Sequence, residues 1–300
     1  MNILVSGLLN TETSVPVRGF PIEYYPIDYV FFGLNTSVSG VAFNISKALA
    51  TLGDEVRVNS MTGNDVARAC IFDSLRELNI STEYIQPRLR QTPGSVVLYD
   101  PSGRRQIYCD LKDIQETSCY FHSSLLEGVD LVVACNINFN RPLLALAKQA
   151  GKPIATDVHV LSDIHDGYNR EFMENADILF LSDEAVGEGY REFMLQLAEI
   201  YPCRIMVMGR GSKGAAMYLR ETNEIVEMPA VSASKVVNTV GAGDSLFSAF
   251  VHFYGKGYPP QEALHRAQIF AAHKITVSGA SQGFVSEQTV EAWLYADQNR

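Results

Sequence analysis

The chain has no apolar run that approaches ~18 residues, so a membrane-spanning helix is not expected. It has no surplus of positive charge either. Its 24 Lys and Arg face 34 Asp and Glu, a formal net charge of −10, which argues against nucleic acid or an anionic membrane as main partner. A nucleotide stays compatible with that balance, because backbone N–H groups and a few cations suffice to hold phosphates. Cysteine is scarce: Cys70, Cys109, Cys119, Cys135 and Cys203 make an odd number, none paired as C-x-x-C. That excludes an obvious disulfide framework or zinc motif and suits the reducing cytoplasm. The P-loop pattern G-x-x-x-x-G-K-[ST] occurs nowhere. The opening residues, Met1-Asn2-Ile3-Leu4-Val5, carry no basic stretch, so no secretory signal is expected there. Internal repeats, low-complexity tracts and interdomain linkers are also missing.

What is present is core. Apolar residues make up 47% of 300, enough for one large α/β domain over residues 1–300. Strand-like and helix-like segments alternate. Residues 2–6, 55–60, 130–135, 153–157 and 177–182 read as strands. Residues 40–52, 66–78, 141–150, 168–175 and 184–200 read as helices. Short strands are expected at 204–208, 215–219 and 224–228. Three helices follow: one from about Gly243, one over 260–277 and one near 286–297. Repeated β-α units imply a doubly wound, mainly parallel sheet between helices. Residues 12–38, rich in aromatics and proline, lack a helical pattern. Residues 95–109 alternate around the turn Pro101-Ser102-Gly103 and read as a hairpin. Both could belong to a small separate sheet or be simple edge hairpins.

The densest chemistry lies in Val237-Asn238-Thr239-Val240-Gly241-Ala242-Gly243-Asp244. Glycines leading into a helix let the backbone approach a ligand and leave N–H groups free, and the helix dipole favours an anion there. A carboxylate beside an anion site suits catalysis better than binding. Asp244 would take a proton from a hydroxyl while the amides hold the phosphate it attacks.

These residues resemble the C-terminal D-T-x-G-A-G-D signature of the ribokinase-like, or PfkB, carbohydrate kinases, with Asn238 in place of the first Asp. The resemblance covers nearly the whole chain. It implies a ribokinase-like fold with a small β-sheet lid over the acceptor, formed by insertions at about 12–38 and 93–112. It further implies Asp244 as catalytic base and Gly241, Ala242 and Gly243 as an anion hole for the phosphoryl in flight. Ser39-Gly40-Val41-Ala42-Phe43-Asn44 resembles the family's G-G-x-x-x-N, which places Gly40 and Asn44 at the sugar, while Ser39 could equally be a helix N-cap. Asn10 and Glu12 stand where the family ends its first loop with a sugar-binding Asp, although Glu12 could be a solvated surface residue.

Gly209-Arg210-Gly211-Ser212-Lys213-Gly214 formally matches a dinucleotide fingerprint, but a strand-like segment follows where a helix is required. It also resembles the family's T-x-G-x-x-G loop, which implies Gly211, Gly214 and Lys213 near the ATP phosphates, with Thr239 beside them. His273, in a helix similar to the family's adenine-side helix, could face ATP or the core. Ser182-Asp183-Glu184 breaks the family's N-x-x-E magnesium motif, leaving Asp183, Glu184 or Glu188 as substitutes and the metal ligands unknown. The cluster Asp157, His159, Asp163, His165 and Asp166 fits no strong metal-ligand spacing and reads as a loop beside the site.

The resemblance implies ATP and Mg²⁺, with a monovalent cation permitted, and transfer to a hydroxyl of a sugar, most simply a primary CH₂OH. Phe31, Phe32, Phe43 and Tyr99 would suit stacking on a base, so a nucleoside kinase is the nearest alternative. A non-catalytic sugar- or nucleotide-binding regulator is the alternative of another class. Exposed lid edges would also allow a homodimer.

Overall fold

The computed structural model describes residues 1–298. Strands β1 (Asn2–Ser6), β2 (Asn10–Pro16) and β3 (Asn35–Ser39) lead into helix α1 (Val41–Leu52). Then come β4 (Glu55–Met61), α2 (Val66–Glu77), β5 (Ser81–Gln86), β6 (Gly94–Tyr99), β7 (Arg105–Asp110) and β8 (Leu131–Ala134). Helix α3 (Arg141–Gln149), β9 (Ile154–Val160), α4 (Arg170–Asn175), β10 (Ile178–Ser182) and α5 (Tyr190–Ile200) continue the alternation. The chain then forms β11 (Ile205–Gly209), β12 (Ala215–Leu219), β13 (Glu224–Met228), α6 (Ala242–Gly255), α7 (Pro260–Lys274) and α8 (Glu287–Gln298).

Among the described residues the main sheet has nine strands in the order β13-β12-β11-β10-β9-β8-β1-β4-β5. The run from β11 to β5 is parallel, while β12 and β13 are antiparallel at one edge. Side-chain alternation divides each central strand between two cores. Ile3, Val5, Leu131, Val133, Ile178, Phe180, Ile205 and Val207 face the core under α1, α6, α7 and α8. Leu4, Val132, Leu179, Leu181, Met206 and Met208 face the core under α3, α4 and α5. Burial on both faces is why these strands read as continuous apolar runs. The strand order reverses between β1 and β8, and such a switch point opens a crevice at the carboxyl ends of the strands.

A second sheet, β3-β2-β6-β7, stands apart. Its β2 is antiparallel to β3 but parallel to β6. The β6–β7 turn is set by Asp100, whose Oδ1 accepts from the backbone N–H groups of Ser102 and Arg104. Between β2 and β3, Tyr24, Ile27, Tyr29, Phe31 and Phe32 are exposed, Phe32 completely.

Several expected boundaries shift. The helix expected over 184–200 begins only at Tyr190, because Gly187 takes a positive φ of 53° and breaks the preceding turn. The helix expected over 260–277 stops at Lys274, and that expected over 168–175 begins at Arg170. Strand β5 is an element that the apolar pattern alone did not reveal. Gly209–Gly214 closes the antiparallel β11–β12 hairpin, with Arg210 N–H bonded to the Gly214 carbonyl at 2.8 Å, so it is not a dinucleotide fingerprint.

Helix α6 is tied firmly. Its His252 Nδ1 meets the buried Asp54 carboxylate at 2.7 Å, and Phe250 stacks on Tyr254 and leans on Phe180 of β10. Phe250→Ala is expected to lower unfolding stability by about 3–5 kcal/mol, the cost of a large aromatic cavity. Urea denaturation with an unchanged m-value would measure it.

Candidate active site

The loop before α6 is assembled by short-range bonds. Asn238 Oδ1 accepts from the Val240 N–H at 2.7 Å, and the Thr239 carbonyl accepts from the Ala242 N–H at 3.1 Å. Gly241, the residue capping α6, has φ 78°, and a Cβ there would meet the Ala280 carbonyl oxygen at 2.2 Å. Only glycine fits that approach. Because Ala242 has given its amide to Thr239, the first-turn donors left for a ligand are those of Gly243 and Asp244.

Asp244 is partly buried, and Asn44 Nδ2 donates to its Oδ2 at 2.8 Å across 200 residues of chain. Asn44 is delivered by α1, whose start is tightened by Gly40. There φ is 101°, and a Cβ would come within 2.5 Å of the Leu8 carbonyl. Ser39 is not the N-cap; its hydroxyl donates to Glu12 Oε2 at 3.3 Å. Burial raises the Asp244 carboxyl above its ordinary value, against the pull of the Asn44 bond and of the cationic charge offered by His159 and Lys274. Burial likewise raises the Glu12 carboxyl, opposed by Ser39, Arg105 and Lys274.

A cleft of about 780 Å³ runs from this point along the strand ends. Gly211, Gly214, Thr239, Gly241, Ala242, Gly243 and Asp244 line it. Two of the residues expected at the nucleotide make contacts within the protein. Lys213 is ion-paired with Glu188, and His273 packs its ring on Trp293 at 3.9 Å between centroids. Asn10 is buried at the start of β2, where its Nδ2 donates to Ser95 Oγ while its Oδ1 has no partner. Phe43 belongs to the core, and Phe31 and Phe32 project from the second sheet into solvent.

Arg105, which sequence reasoning did not select, reaches the cleft from β7, while Asp157 and His159, expected in a loop beside the site, line it from strand β9. Lys274, at the end of α7, is wholly buried within electrostatic reach of Asp244 and Glu12. One signal was available: a lysine in an otherwise alanine-rich, apolar helix end. Of the three carboxylates weighed for magnesium, Asp183 lies 3.7 Å from Arg210 and Glu188 pairs with Lys213. Glu184 lines the cleft without a cation partner among the described residues. Those residues contain no cluster of three or more His, Cys, Asp or Glu able to hold a metal, no disulfide, and no helix long and apolar enough to cross a membrane.

A carboxylate at a glycine-rich helix start, beside an open strand-end cleft, is the layout expected of a phosphotransferase acting on an alcohol. The chain belongs to the pfkB family of carbohydrate kinases, whose model matches residues 3–287. It is 23% identical to a ribokinase of Dictyostelium discoideum, covering 94% of this chain and 97% of that one. It is also 23% identical to the acarbose 7(IV)-phosphotransferase of an Actinoplanes species, covering 95% of each. Its fold is shared with the microbiome-derived acarbose kinase Mak1, with a TM-score of 0.88 at 23% identity over 98% of both chains.

Removing the Asn44 donor raises the Asp244 carboxyl further, and a base must be deprotonated to act. Asn44→Ala is therefore expected to move the acidic limb of kcat/KM toward higher pH. It should also lower kcat/KM about tenfold, the scale of one charge-assisted bond of about 1.5 kcal/mol. A pH–rate profile measured with Mg-ATP checks both.

Proposed function

We propose that this chain transfers the γ-phosphoryl of ATP to a hydroxyl, most simply a primary CH₂OH, of a sugar or sugar-like acceptor. The observation that carries this reading is the Asn44–Asp244 bond. It brings the asparagine expected at the sugar to the carboxylate expected to deprotonate it.

In this reading the acceptor lies between the second sheet and the strand ends, against Asn10, Glu12, Gly40 and Asn44. The unpartnered Asn10 Oδ1 and Asn44 Oδ1 await its hydroxyl donors. ATP extends along the cleft past Thr239, Gly211 and Gly214. Asp244 accepts the hydroxyl proton as the acceptor oxygen bonds to the γ-phosphorus. The first-turn amides of α6 stabilise the charge on the moving phosphoryl. Glu184 is the cleft carboxylate that would hold Mg²⁺ through its water shell, and the ion would supply charge neutralisation of the ATP phosphates. A single carboxylate suits that ion, which keeps several waters in kinase sites. The second sheet serves as a lid, formed by residues about 12–38 and 93–112 within one domain, that excludes water as a competing acceptor. The low-cysteine, disulfide-free chain would work in the cytoplasm.

The exposed aromatic segment beside β2 and β3 supports a homodimer through the lid, since contiguous apolar surface of this kind marks an interface. Sedimentation should give a dimer that Phe31→Ser with Phe32→Ser reduces to monomer; a monomeric wild-type chain would remove this part of the reading.

The test of the reaction is ADP release with Mg-ATP across pentoses, hexoses, glucosides, sugar phosphates and nucleosides. Turnover with a sugar is expected, and Asp244→Asn should lower it by about 10² or more while ATP still binds. Turnover with nucleosides alone would transfer the assignment to that acceptor class. Binding of ATP without any turnover would favour a regulator.

A further inference from the structure

Lys274 has no ordinary structural explanation. A lysine in the last turn of a helix usually reaches water or donates to the final carbonyls. This one is the last residue of α7, is 0% exposed, and its Nζ has no hydrogen-bond partner among the described residues. An isolated buried ammonium is costly to fold around, so an unpartnered one points to a ligand or a reaction. The groups that face it come from three elements: Asp244 on α6 and Glu12 on β2 are anionic, and Arg105 on β7 is cationic. Beyond Asp244 lie Asp157 and His159 on β9, which also act on that carboxylate. Asp244 is the largest charged influence on Lys274.

We propose, resting on the kinase reading above, that Lys274 is a built-in cation of the reacting centre, which acts through Asp244 and meets the acceptor hydroxyl oxygen at the point of attack. When the proton passes from that hydroxyl to Asp244, the acceptor oxygen forms its bond to the γ-phosphorus and the bond to the β–γ bridging oxygen breaks. Lys274 keeps its own protons throughout. Its fixed charge favours the ionised base before transfer and the electron-rich acceptor oxygen during it. Desolvation, with Arg105 adding repulsion, brings the Lys274 ammonium down to about 8, against the hold of Asp244 and Glu12. The charge is therefore complete below that pH and is lost as pH rises through it.

Lys274→Met replaces the stem without the charge, so it should fold and melt at a higher temperature than the wild-type chain. Its kcat should fall about 10²-fold, as when one donor is removed from a charge-stabilising site, with KM for ATP unchanged. The alkaline loss of activity near pH 8 should vanish from its profile, and its acidic limb should move up, because Asp244 has lost a cation. Propylammonium should restore part of the activity of Lys274→Ala. An acceptor-independent measurement separates this proposal from the kinase reading: NMR titration of protein carrying ¹³Cε-lysine, with the Lys274 signal assigned by its loss in Lys274→Met. In Asp244→Asn the Lys274 midpoint should fall, since its strongest anionic partner is gone. An unmoved midpoint, or wild-type kcat and pH profile in Lys274→Met, overturns the proposal. A falling midpoint in a chain that phosphorylates nothing would sustain the coupling and refute the reaction.

Discussion

A carboxylate set at the mouth of an anion-binding helix must stay ionised where water is scarce. The fold around Asp244 answers that constraint. Burial and Asp157 push its carboxyl toward protonation, while the Asn44 amide, His159 and Lys274 oppose them. The opposing groups come from α1, β9 and α7, so no short stretch of chain could balance this charge by itself. Three separated segments must converge on Asp244 to balance its charge.

The scaffold makes that convergence rigid. The parallel strands are buried on both faces, and alternate residues lock helices to each side. Helix α6 is clamped by Asp54 from the α1–β4 connection and by aromatic contacts from β10. Its N-terminus is held by the close approach of Gly241 to Ala280. The placement of Asp244 against Asn44 is therefore set by core packing. The second sheet carries the solvent-facing aromatic segment instead of a second packed face.

Much of the layout was legible. Val5, Val133, Phe180 and Val207 lie in apolar runs that announced a parallel sheet, and Gly241-Ala242-Gly243-Asp244 announced the helix start and its carboxylate. Glycine and proline punctuation placed the β6–β7 turn. Less legible were the ends of α5 and α7, where a positive φ at Gly187 and the local turn after Lys274 overrode apolar periodicity. Strand β5 was hidden because Ser81-Thr82-Glu83-Tyr84 is polar at a sheet edge, where one side faces solvent. His273 and Lys274 show the limit best. Adjacent residues of one helix point apart by about 100°, and only packing decided that His273 meets Trp293 while Lys274 enters the site.

The sequence by itself determined the family, the alternation of elements and the glycine-rich helix start that carries Asp244. These are local patterns, written in periodicity and in residues with special backbone freedom. Tertiary structure alone decided the partners: Asn44 on Asp244, Glu188 on Lys213, Glu184 left free at the cleft, and Lys274 buried without an acceptor. Such choices depend on which segments meet across 200 residues and on how much water remains between them, and no local pattern encodes either.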